Sequence, residues 1–363
     1  MSSEREAVKA AFLDQHGYGQ WRREPLTGDA STRAYERLHG PAGSSLIFMD
    51  QPPSAETAPC PPDATPAERV ALGYNASARL AAGRVVAFIA CAGYLRDQGL
   101  SAPRIEAADA AAGLAVLEDL GDDLYAALIL QGQDEAPLYD RAIDALVQLH
   151  QASPPAVLEA QGSVWPLLAY DDLALKTAGD LFIEWAPSLS PQLVFDAAAV
   201  AEWEAIWAPI RADIAAKAEV FCHRDYHAEN LIWLPNRPAA AAVGMLDFQD
   251  ALRAHRAWDL MMLLQDARRD VSPQREAACL DRYLAAQPQL DRDAFLADYR
   301  AVAALNASRL LGLFARLTVR DKKPKYAGFL PRMRRYQALN LAAPGMEAAA
   351  GWFHRHAPSE LVE

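Results

Sequence analysis

Polar and apolar residues alternate in short runs over residues 21–50, and the runs are separated by 28-GD-29 and 40-GPAG-43. Alternation with a period of two is typical of half-buried strands, and glycine and proline mark the turns between them. The pattern therefore predicts three antiparallel strands, which follow a short helix over residues 4–15.

The next segment, 51-QPPSAETAPCPPDATP-66, contains six prolines and predicts a loop rather than regular structure. At its end, 65-TPAE-68 has the form of a capping box with proline at the first helical position, so we expect a helix to begin there. A more apolar helix is predicted over roughly 84–98, and 113-GLAVLEDLG-121 predicts a strand that stops at Gly121.

Beyond this strand the apolar residues recur mainly at helical spacing. The predicted helices lie near residues 135–151, 167–185, 198–216, 256–268, 274–286, 291–319 and 328–341. One island of β character interrupts them, with strands at 220–222, 231–234 and 242–246 and a turn at 235-PNRP-238. The chain thus has an α+β pattern in which a β hairpin lies inside a helical region.

These elements divide the chain into two predicted lobes. A β-rich N-terminal lobe covers residues 1–117, within which 51–82 is a proline-rich loop or insertion. A connector over 118–122 leads to a large, mostly helical C-terminal lobe over 123–363, and the hairpin occupies 220–250 of that lobe.

Composition and net charge disfavour several classes of function. With 363 residues, 52% hydrophobic and 23% charged, the chain has the composition of a globular protein, and its net charge of -12 disfavours binding to nucleic acid or anionic membranes. The N-terminus carries charges where a signal peptide needs an apolar core, and the apolar stretch 85–95 is too short to span a bilayer. Four scattered cysteines without a C-x-x-C pair fit reduced thiols in the cytoplasm.

The hairpin gathers the residues that carry chemistry. Asp225 and Asn230 precede its first strand in 223-HRDYHAEN-230, and Asp247 ends its second strand in 244-GMLDFQD-250. A two-stranded hairpin brings Asn230 and Asp247 to the same open end, where their oxygens suit Mg²⁺. Asp225, held nearby without ligating the metal, can accept the proton of an attacking hydroxyl.

This order matches the protein-kinase pattern of a catalytic aspartate, an asparagine five residues later and a metal-binding aspartate in D-F-G, with Gln249 in place of the glycine. The chain resembles the aminoglycoside phosphotransferase-like superfamily of small-molecule kinases, which share the bilobal protein-kinase fold. A narrower likeness is to bacterial kinases that phosphorylate the anomeric hydroxyl of N-acetylmuramate and N-acetylglucosamine in cell-wall recycling. It is carried by 28-GDASTRAYERL-38, 48-FMDQPP-53, 223-HRDYHAENL-231, 246-LDFQDA-251 and 322-KKPKY-326.

The resemblance implies ATP, Mg²⁺ and a small-molecule sugar as substrate, with a sugar 1-phosphate made in the cytoplasm by a monomer. It assigns the catalytic role to Asp225 and the metal to Asn230 and Asp247. It also implies that Asp259, near the start of a helix, supports the catalytic loop together with His223. Asp259 is equally interpreted as a helix N-cap, and His223 as a buried structural histidine.

Two features depart from the kinase pattern. The phosphate-binding loop has one glycine, Gly28, followed by small residues whose backbone and hydroxyl groups, as in Ser31 and Thr32, can cradle phosphate. Arg33 is expected to reach phosphate or substrate, whereas Asp29 would cap the turn or face the sugar.

The lysine usually found on the third strand is also missing, because Met49 stands in its approximate position. One hypothesis is a reversed pair in which Asp50 anchors Arg84, and Arg84 then contacts ATP. The alternative is that Arg84 lies in solvent.

Backbone groups around Glu118 and Leu120 are expected to bind adenine, as in members of the superfamily. Helices around 165–216 are expected to wall the acceptor pocket. The candidate substrate residues are Asp29, Arg224, Glu184 and, within a basic C-terminal run, Lys322, which would attract the lactyl carboxylate of N-acetylmuramate.

Three other functions stay open at this point. A protein kinase is disfavoured, because only twelve residues separate Asp247 from Asp259 and no A-P-E motif is present. A non-catalytic nucleotide-binding pseudokinase is favoured by the missing lysine but disfavoured by the complete set of Asp225, Asn230 and Asp247. Another small-molecule kinase, acting on an aminoglycoside, an amino alcohol or a different sugar, is compatible with the same motifs.

Overall fold

The computed structural model describes residues 3–26, 33–52, 58–190 and 192–360. Its N-terminal part is built on a five-stranded antiparallel sheet in the order β1-β2-β3-β5-β4. The strands are β1 (Arg22–Pro25), β2 (Ala34–His39), β3 (Ser45–Asp50), β4 (Ile105–Asp109) and β5 (Leu114–Glu118). The three strands predicted over 21–50 and the strand at 113–121 are confirmed, whereas β4 was not predicted.

Helices pack on both faces of this sheet. Helix α1 (Ser3–Gln15) covers one face, where Phe12 and Leu13 pack with Leu38, Phe48 and Val116. On the other face Met49 shares a core with α4 (Val85–Asp97) and the C-terminal helices. The two short helices α2 (Pro66–Leu72) and α3 (Tyr74–Ala78) precede α4.

The capping box predicted at the start of α2 is present. Thr65 Oγ1 accepts a hydrogen bond from Glu68 N at 3.3 Å, and the Glu68 carboxylate accepts one from Thr65 N at 2.8 Å. Pro66 occupies the first turn, as expected.

The remainder of the described chain is mainly helical. Its helices are α5 (Tyr125–Leu130), α6 (Glu135–Leu149), α7 (Asp172–Gly179), α8 (Leu181–Trp185), α9 (Ala197–Ala216), α10 (Ala257–Leu264), α11 (Pro273–Ala285), α12 (Arg292–Val319), α13 (Leu330–Leu341) and α14 (Glu347–His356). The predicted helix over 167–185 is two helices, α7 and α8. The first of them begins only at Asp172, after the N-cap Asp171. Helices α5 and α14 were not predicted.

Three two-stranded sheets interrupt these helices. The predicted hairpin is formed by β9 (Leu231–Trp233) and β10 (Val243–Met245). Strand β8 (Val220–Cys222) was predicted, but its partner β11 (Leu252–Ala254) was not. The hairpin of β6 (Val157–Ala160) and β7 (Ser163–Pro166) was also not predicted.

Helix α12 is the one helix within the described ranges that is long and apolar enough to cross a membrane. However, 67% of its most apolar 18-residue window is buried inside the protein. A core helix meets the same criteria of length and hydropathy, so α12 is weak evidence for a membrane span.

Candidate active site

The hairpin brings Asn230 and Asp247 together, as the sequence predicts. Leu231 pairs with Met245 at its open end, and Leu246 N donates to Asn230 O at 2.9 Å. Asn230 therefore lies just before β9 and Asp247 two residues after β10, at the same end of the hairpin.

The loop that carries Asp225 is tied to Asn230. The amide nitrogen of Asn230 donates to Asp225 O at 2.9 Å and lies 3.2 Å from His227 Nε2. Because the nitrogen is used in this way, the Asn230 side-chain oxygen is the atom suited to a cation. The loop thus joins the backbone of Asp225 to the side chain of Asn230.

Asp259 makes the hydrogen bonds expected of a residue that supports the catalytic loop. It is 1% exposed, and its carboxylate accepts hydrogen bonds from His223 N at 2.7 Å, Arg224 N at 2.9 Å and Cys222 Sγ at 3.2 Å. Arg224 has a positive φ of 80°, so the carboxylate holds a turn that an L-residue rarely adopts. Asp259 lies within the first turn of α10, whose N-cap is Arg256.

His223 is completely buried. Its ring contacts Tyr226, with centroids 5.5 Å apart, and Phe248, at 6.3 Å. Burial lowers the pKa of His223, so the imidazole is neutral at physiological pH. Packing, rather than charge, is its contribution to the loop.

Asp247 adopts a left-handed backbone conformation, with φ 61°, and its carboxylate faces Arg33 and Gln249. Arg33 donates to Asp247 Oδ1, and Gln249 Nε2 donates to the same oxygen at 3.0 Å. Burial opposes ionisation of Asp247, but Arg33 and Gln249 outweigh it and lower the pKa of the carboxyl. The group is therefore an anion that already holds a cationic partner.

Two further carboxyl groups, those of Asp225 and Asp250, add to the negative charge around Asp247. Burial raises the pKa of Asp225 and of Asp250, and the neighbouring carboxylates, including Asp247, raise it further. Arg309 and Arg224 act in the opposite direction on Asp225. Such a group of acids favours a bound cation and leaves Asp225 a better proton acceptor than an ordinary aspartate.

The donor set fits Mg²⁺. The described ranges contain no group of three His, Cys, Asp or Glu side chains that could hold a metal by itself. Mg²⁺ is usually held by one or two protein oxygens while phosphates and water complete its shell. Asn230 and Asp247, at the end of the hairpin and among acidic neighbours, are residues of that kind.

The strand register places Arg33 close to the position of the missing lysine. Tyr35 pairs with Met49, and side chains two residues apart lie on one face of a strand. Arg33 therefore extends from the same face as Met49, one strand away, and reaches Asp247 and Gln249 Oε1 at 2.6 Å. It is a cation on the Met49 face of the sheet, beside Asp247.

The proposed pairing of Asp50 with Arg84 is wrong. Asp50 is buried on the opposite side of the sheet, where Arg5 Nε donates to it at 3.0 Å and Lys9 Nζ lies 3.7 Å away. Arg84 is exposed at the N-cap of α4. Alternation along β3 explains the error, because Asp50 and Met49 face opposite sides.

The expected hinge residues are Glu118, the last residue of β5, and Leu120, which follows this strand. Glu118 N donates to Arg104 O at 2.8 Å, so that amide is already used within the protein. The Glu118 side chain accepts from Arg237 at 2.6 Å. Leu120 N–H makes no hydrogen bond to another described residue, so it is available to a ligand. The expected phosphate-loop residues Gly28, Asp29, Ser31 and Thr32 lie outside the described residues.

A cavity of about 140 Å³ lies beside Asp225, with room for several water molecules. Asp266, Arg268 and Arg309 contribute its charged walls, and Tyr326 and Phe314 form an aromatic wall with ring centroids 5.6 Å apart. This cavity is where an acceptor can meet Asp225.

The expected acceptor wall around 165–216 is not confirmed. The cavity is lined by the segment after α10, by α12 and by the turn that follows it. Trp165 lines a separate cavity of about 10 Å³, and Tyr170 is buried against Trp258. Glu184 is exposed on α8, and Trp185 lies under Arg320. The helices at 165–216 pack into the core instead.

The structure places two other substrate candidates away from this cavity. The Arg224 guanidinium donates to the carbonyl oxygens of Ala78, at 3.1 Å, and Arg79, at 3.2 Å, and is 3% exposed. It therefore supports the end of α3 rather than the acceptor cavity. Lys322 is exposed after α12 and does not line the cavity.

Sequence reasoning missed four residues at the site: Gln249, Asp266, Arg268 and Arg309. Gln249 had a signal, because it stands where kinases carry glycine. The other three belong to no recognised motif, and the segment after α10, which carries Asp266 and Arg268, and helix α12, which carries Arg309, bring them to Asp225.

The chain has clear similarity to known proteins. A family model described as "Phosphotransferase enzyme family" matches residues 22–305. An N-acetylmuramate/N-acetylglucosamine kinase from Caulobacter vibrioides is 69% identical over 360 residues, covering 99% of each chain.

Solved structures show the fold. A choline/ethanolamine kinase family protein from Mesorhizobium loti has a TM-score of 0.55 at 15% identity, covering 97% of this chain and 99% of its own. An ADP-bound aminoglycoside phosphotransferase has a TM-score of 0.53 at 13% identity, covering 94% and 99%. These likenesses confirm the predicted α+β, bilobal kinase-like fold.

Proposed function

The chain belongs to the phosphotransferase enzyme family, and from this premise we propose that it is an ATP- and Mg²⁺-dependent sugar kinase. Its acceptor is the anomeric hydroxyl of an amino sugar, N-acetylmuramate or N-acetylglucosamine, and its product is the sugar 1-phosphate. The relative from Caulobacter vibrioides, with 69% identity over nearly the whole chain, supports this acceptor class.

One observation carries the proposal: Asp225 stands beside both the end of the hairpin that holds Asn230 and Asp247 and the cavity of about 140 Å³. A kinase needs such an arrangement, because acceptor, base and phosphate-bound cation must meet within a few ångströms. A nucleotide-binding protein without catalysis has no need of the cavity beside the aspartate.

In this mechanism Asp225 orients the acceptor hydroxyl and takes its proton. Burial raises the pKa of Asp225, which makes the carboxylate a stronger base. An anomeric hydroxyl is more acidic than an ordinary alcohol, so a carboxylate suffices. Asp259 keeps the loop in place through its bonds to the backbone at 223 and 224.

On the nucleotide side, Asn230 and Asp247 would hold Mg²⁺, which when bound neutralises charge on the phosphates. Arg33 exchanges its contact with Asp247 for a contact with phosphate and so replaces the missing lysine. Adenine would lie against the backbone at Leu120, and the loop with Gly28, Ser31 and Thr32 would cover the phosphates.

On the acceptor side, the cavity offers Arg268 and Arg309 to an anionic sugar. Arg268 Nε is already paired with Glu229 at 2.8 Å, whereas Arg309 bonds the neutral Asn306 Oδ1 at 3.0 Å. Of the two arginines, Arg309 is therefore better suited to the lactyl carboxylate of N-acetylmuramate. The exposed Lys322 does not line the cavity.

The test is product identification with a matched variant. The protein and Mg-ATP are incubated with amino sugars, aminoglycosides and amino alcohols, and ³¹P NMR locates the phosphate. We expect an amino-sugar 1-phosphate, and about 10²–10⁴-fold lower kcat for Asp225→Asn, because the base is lost. Asp97→Asn, an exposed change at the end of α4, should keep full activity.

Other outcomes would change the assignment. Phosphate on a different acceptor would move the protein to another small-molecule kinase of the same family. Nucleotide binding without turnover on any acceptor would favour a non-catalytic nucleotide-binding protein, the alternative that the missing lysine suggests.

A further inference from the structure

Asp266 is a buried carboxylate with an incomplete set of hydrogen bonds. It is 2% exposed and follows α10 in the segment that forms one wall of the cavity beside Asp225. Its Oδ1 accepts a hydrogen bond from Arg268 N at 2.8 Å, but its buried Oδ2 has no partner among the described residues. Burying a polar atom without a partner is destabilising, and Asp266 Oδ2 is the one carboxylate oxygen among the described residues in this state.

The surroundings of Asp266 do not supply the missing partner. The cation closest to this carboxylate among the described residues is Arg268, whose Nη1 lies 4.0 Å from Asp266 Oδ1 rather than near Oδ2. Arg268 Nε is paired with Glu229. The neighbouring Gln265 is fully used, because its amide bonds Glu276 and Asn340. Because Asp266 lines the cavity, a ligand bound there is a source of a hydrogen-bond donor for Oδ2.

A sugar is the ligand class that supplies such a donor. The cavity combines Asp266 with Asp225 and with the aromatic wall of Phe314 and Tyr326. Carboxylates accept hydrogen bonds from hydroxyl and amide groups, and aromatic faces cover the apolar C–H surface of a ring. A carboxylate on the ligand would be repelled by Asp266, so this residue serves the uncharged donors that both proposed sugars share.

On the basis of the proposed function, we infer that Asp266 is a substrate-positioning residue whose Oδ2 accepts a hydrogen bond from a hydroxyl or amide N–H of the acceptor sugar. This bond orients the ring so that its anomeric hydroxyl faces Asp225. The structural and the positioning roles of the side chain are separated by atom: Oδ1 holds the loop and Oδ2 faces the ligand.

Asp266→Asn tests this separation, because asparagine keeps one oxygen for Arg268 N and replaces the other by an N–H₂ group. We expect the KM for N-acetylglucosamine and N-acetylmuramate to rise about 10–100-fold, as for loss of a charged hydrogen bond of roughly 1.5–3 kcal/mol. The KM for ATP should change less than twofold. The Tm of the ligand-free protein should stay the same or rise, because a buried ionisable carboxyl is replaced by a neutral amide.

The matched control is Asp270→Asn, four residues away in the same segment, where an exposed carboxylate pairs with Arg332 and Arg335. It should leave both sugar KM values unchanged. An Asp266→Asn variant with unchanged sugar KM, or with a lowered Tm as its only effect, overturns the inference.

Failure of the proposed function is distinguishable from this result. A wild-type enzyme that phosphorylates neither amino sugar overturns the proposed function. It also overturns the assignment of a sugar as the ligand of Asp266. A wild-type enzyme that is active, together with an Asp266→Asn variant of normal sugar KM, overturns the inference alone.

Discussion

Gln249 illustrates how one side chain can change a familiar motif. It stands where the kinase pattern has glycine, and it is 7% exposed. Its amide donates to Asp247 Oδ1 at 3.0 Å, and its oxygen accepts from Arg33 at 2.6 Å. The same residue thus holds both the proposed metal ligand and the proposed phosphate-binding cation, a role that glycine has no side chain to perform.

Arg33 yields a prediction at this scale. Arg33→Ala should lower kcat/KM for ATP about 10²–10³-fold, the usual loss when one preorganised charge contact to the transition state is removed. Steady-state kinetics with varied ATP measure this change.

Arg84→Ala is the control for Arg33, because Arg84 is exposed and the pairing with Asp50 is not formed. Its kinetic constants should equal those of the wild type. Equal losses in the two variants would contradict the assignment of Arg33.

At the scale of elements, the segment after the proline-rich loop is fastened to the helical part of the chain. Arg69 of α2 is 1% exposed, and its guanidinium donates to Asp171, the N-cap of α7, at 2.5 and 3.0 Å. A further bond of 2.8 Å reaches Ser77 O in α3. Three helices are therefore joined by one buried side chain.

We predict that Arg69→Met destabilises the protein by about 2 kcal/mol. Loss of one partner of a buried pair costs about 3–5 kcal/mol, but Asp171 is one-third exposed and water recovers part of the loss. Urea-unfolding curves measure the difference. Arg22→Met, which removes an exposed pair with Glu24, should change stability by less than about 0.5 kcal/mol.

The effect of Arg69→Met should depend on pH. Burial opposes ionisation of Asp171, yet Arg69, the α7 backbone and Arg79 lower its pKa below the ordinary value. A depressed carboxyl pKa stabilises the fold above the unfolded-state value and loses this contribution as the pH falls through the folded-state value. The difference between wild type and variant should therefore be largest near neutral pH and shrink in acid. A difference that grows in acid would contradict this account.

At the scale of the whole molecule, arginines connect the sheet, the connector and the catalytic hairpin. Arg37 of β2 donates to Asp119 at 2.7 Å and to Asp122 at 2.6 Å. Arg237, in the turn of the hairpin, donates to Glu118 at 2.6 Å and to Ser101 Oγ at 2.8 Å. The acidic side chains of the connector thus bind protein partners.

A ligand that binds across these parts should stabilise the whole chain. We predict that Mg-ADP raises Tm, with a stabilisation of about 2.7 kcal/mol at a hundred times its Kd. Removing Mg²⁺ with EDTA should abolish most of the rise. In Asp247→Asn the Mg²⁺-dependent part should disappear, because a metal ligand is lost.

Thermal denaturation of wild type, Asp247→Asn and Asp97→Asn with ADP, in the presence or absence of Mg²⁺, gives the comparison. Asp97→Asn should behave as the wild type. An Asp247→Asn variant with a full Mg²⁺-dependent shift would exclude Asp247 as a ligand.

Local signals were enough for much of the fold. The capping box at Thr65 marked the start of α2, period-two alternation marked β1 to β3, and helical periodicity marked α6 and α9 to α13. Elements with weak local signals were missed. Strand β4 contains two alanines, which have low β propensity, and β11 has only three residues and exists through its pairing with β8.

The sequence alone placed Asn230 and Asp247 together and predicted Asp225 beside them, because a short hairpin converts spacing along the chain into proximity in space. It could not determine the replacement for the lysine or the walls of the acceptor cavity. Arg33, Asp266 and Arg309 approach the site from segments up to 216 residues apart from their partners, as between Arg33 and Gln249. Such contacts depend on how the sheet and α12 pack around the hairpin, and packing of distant segments leaves no periodic pattern in the chain.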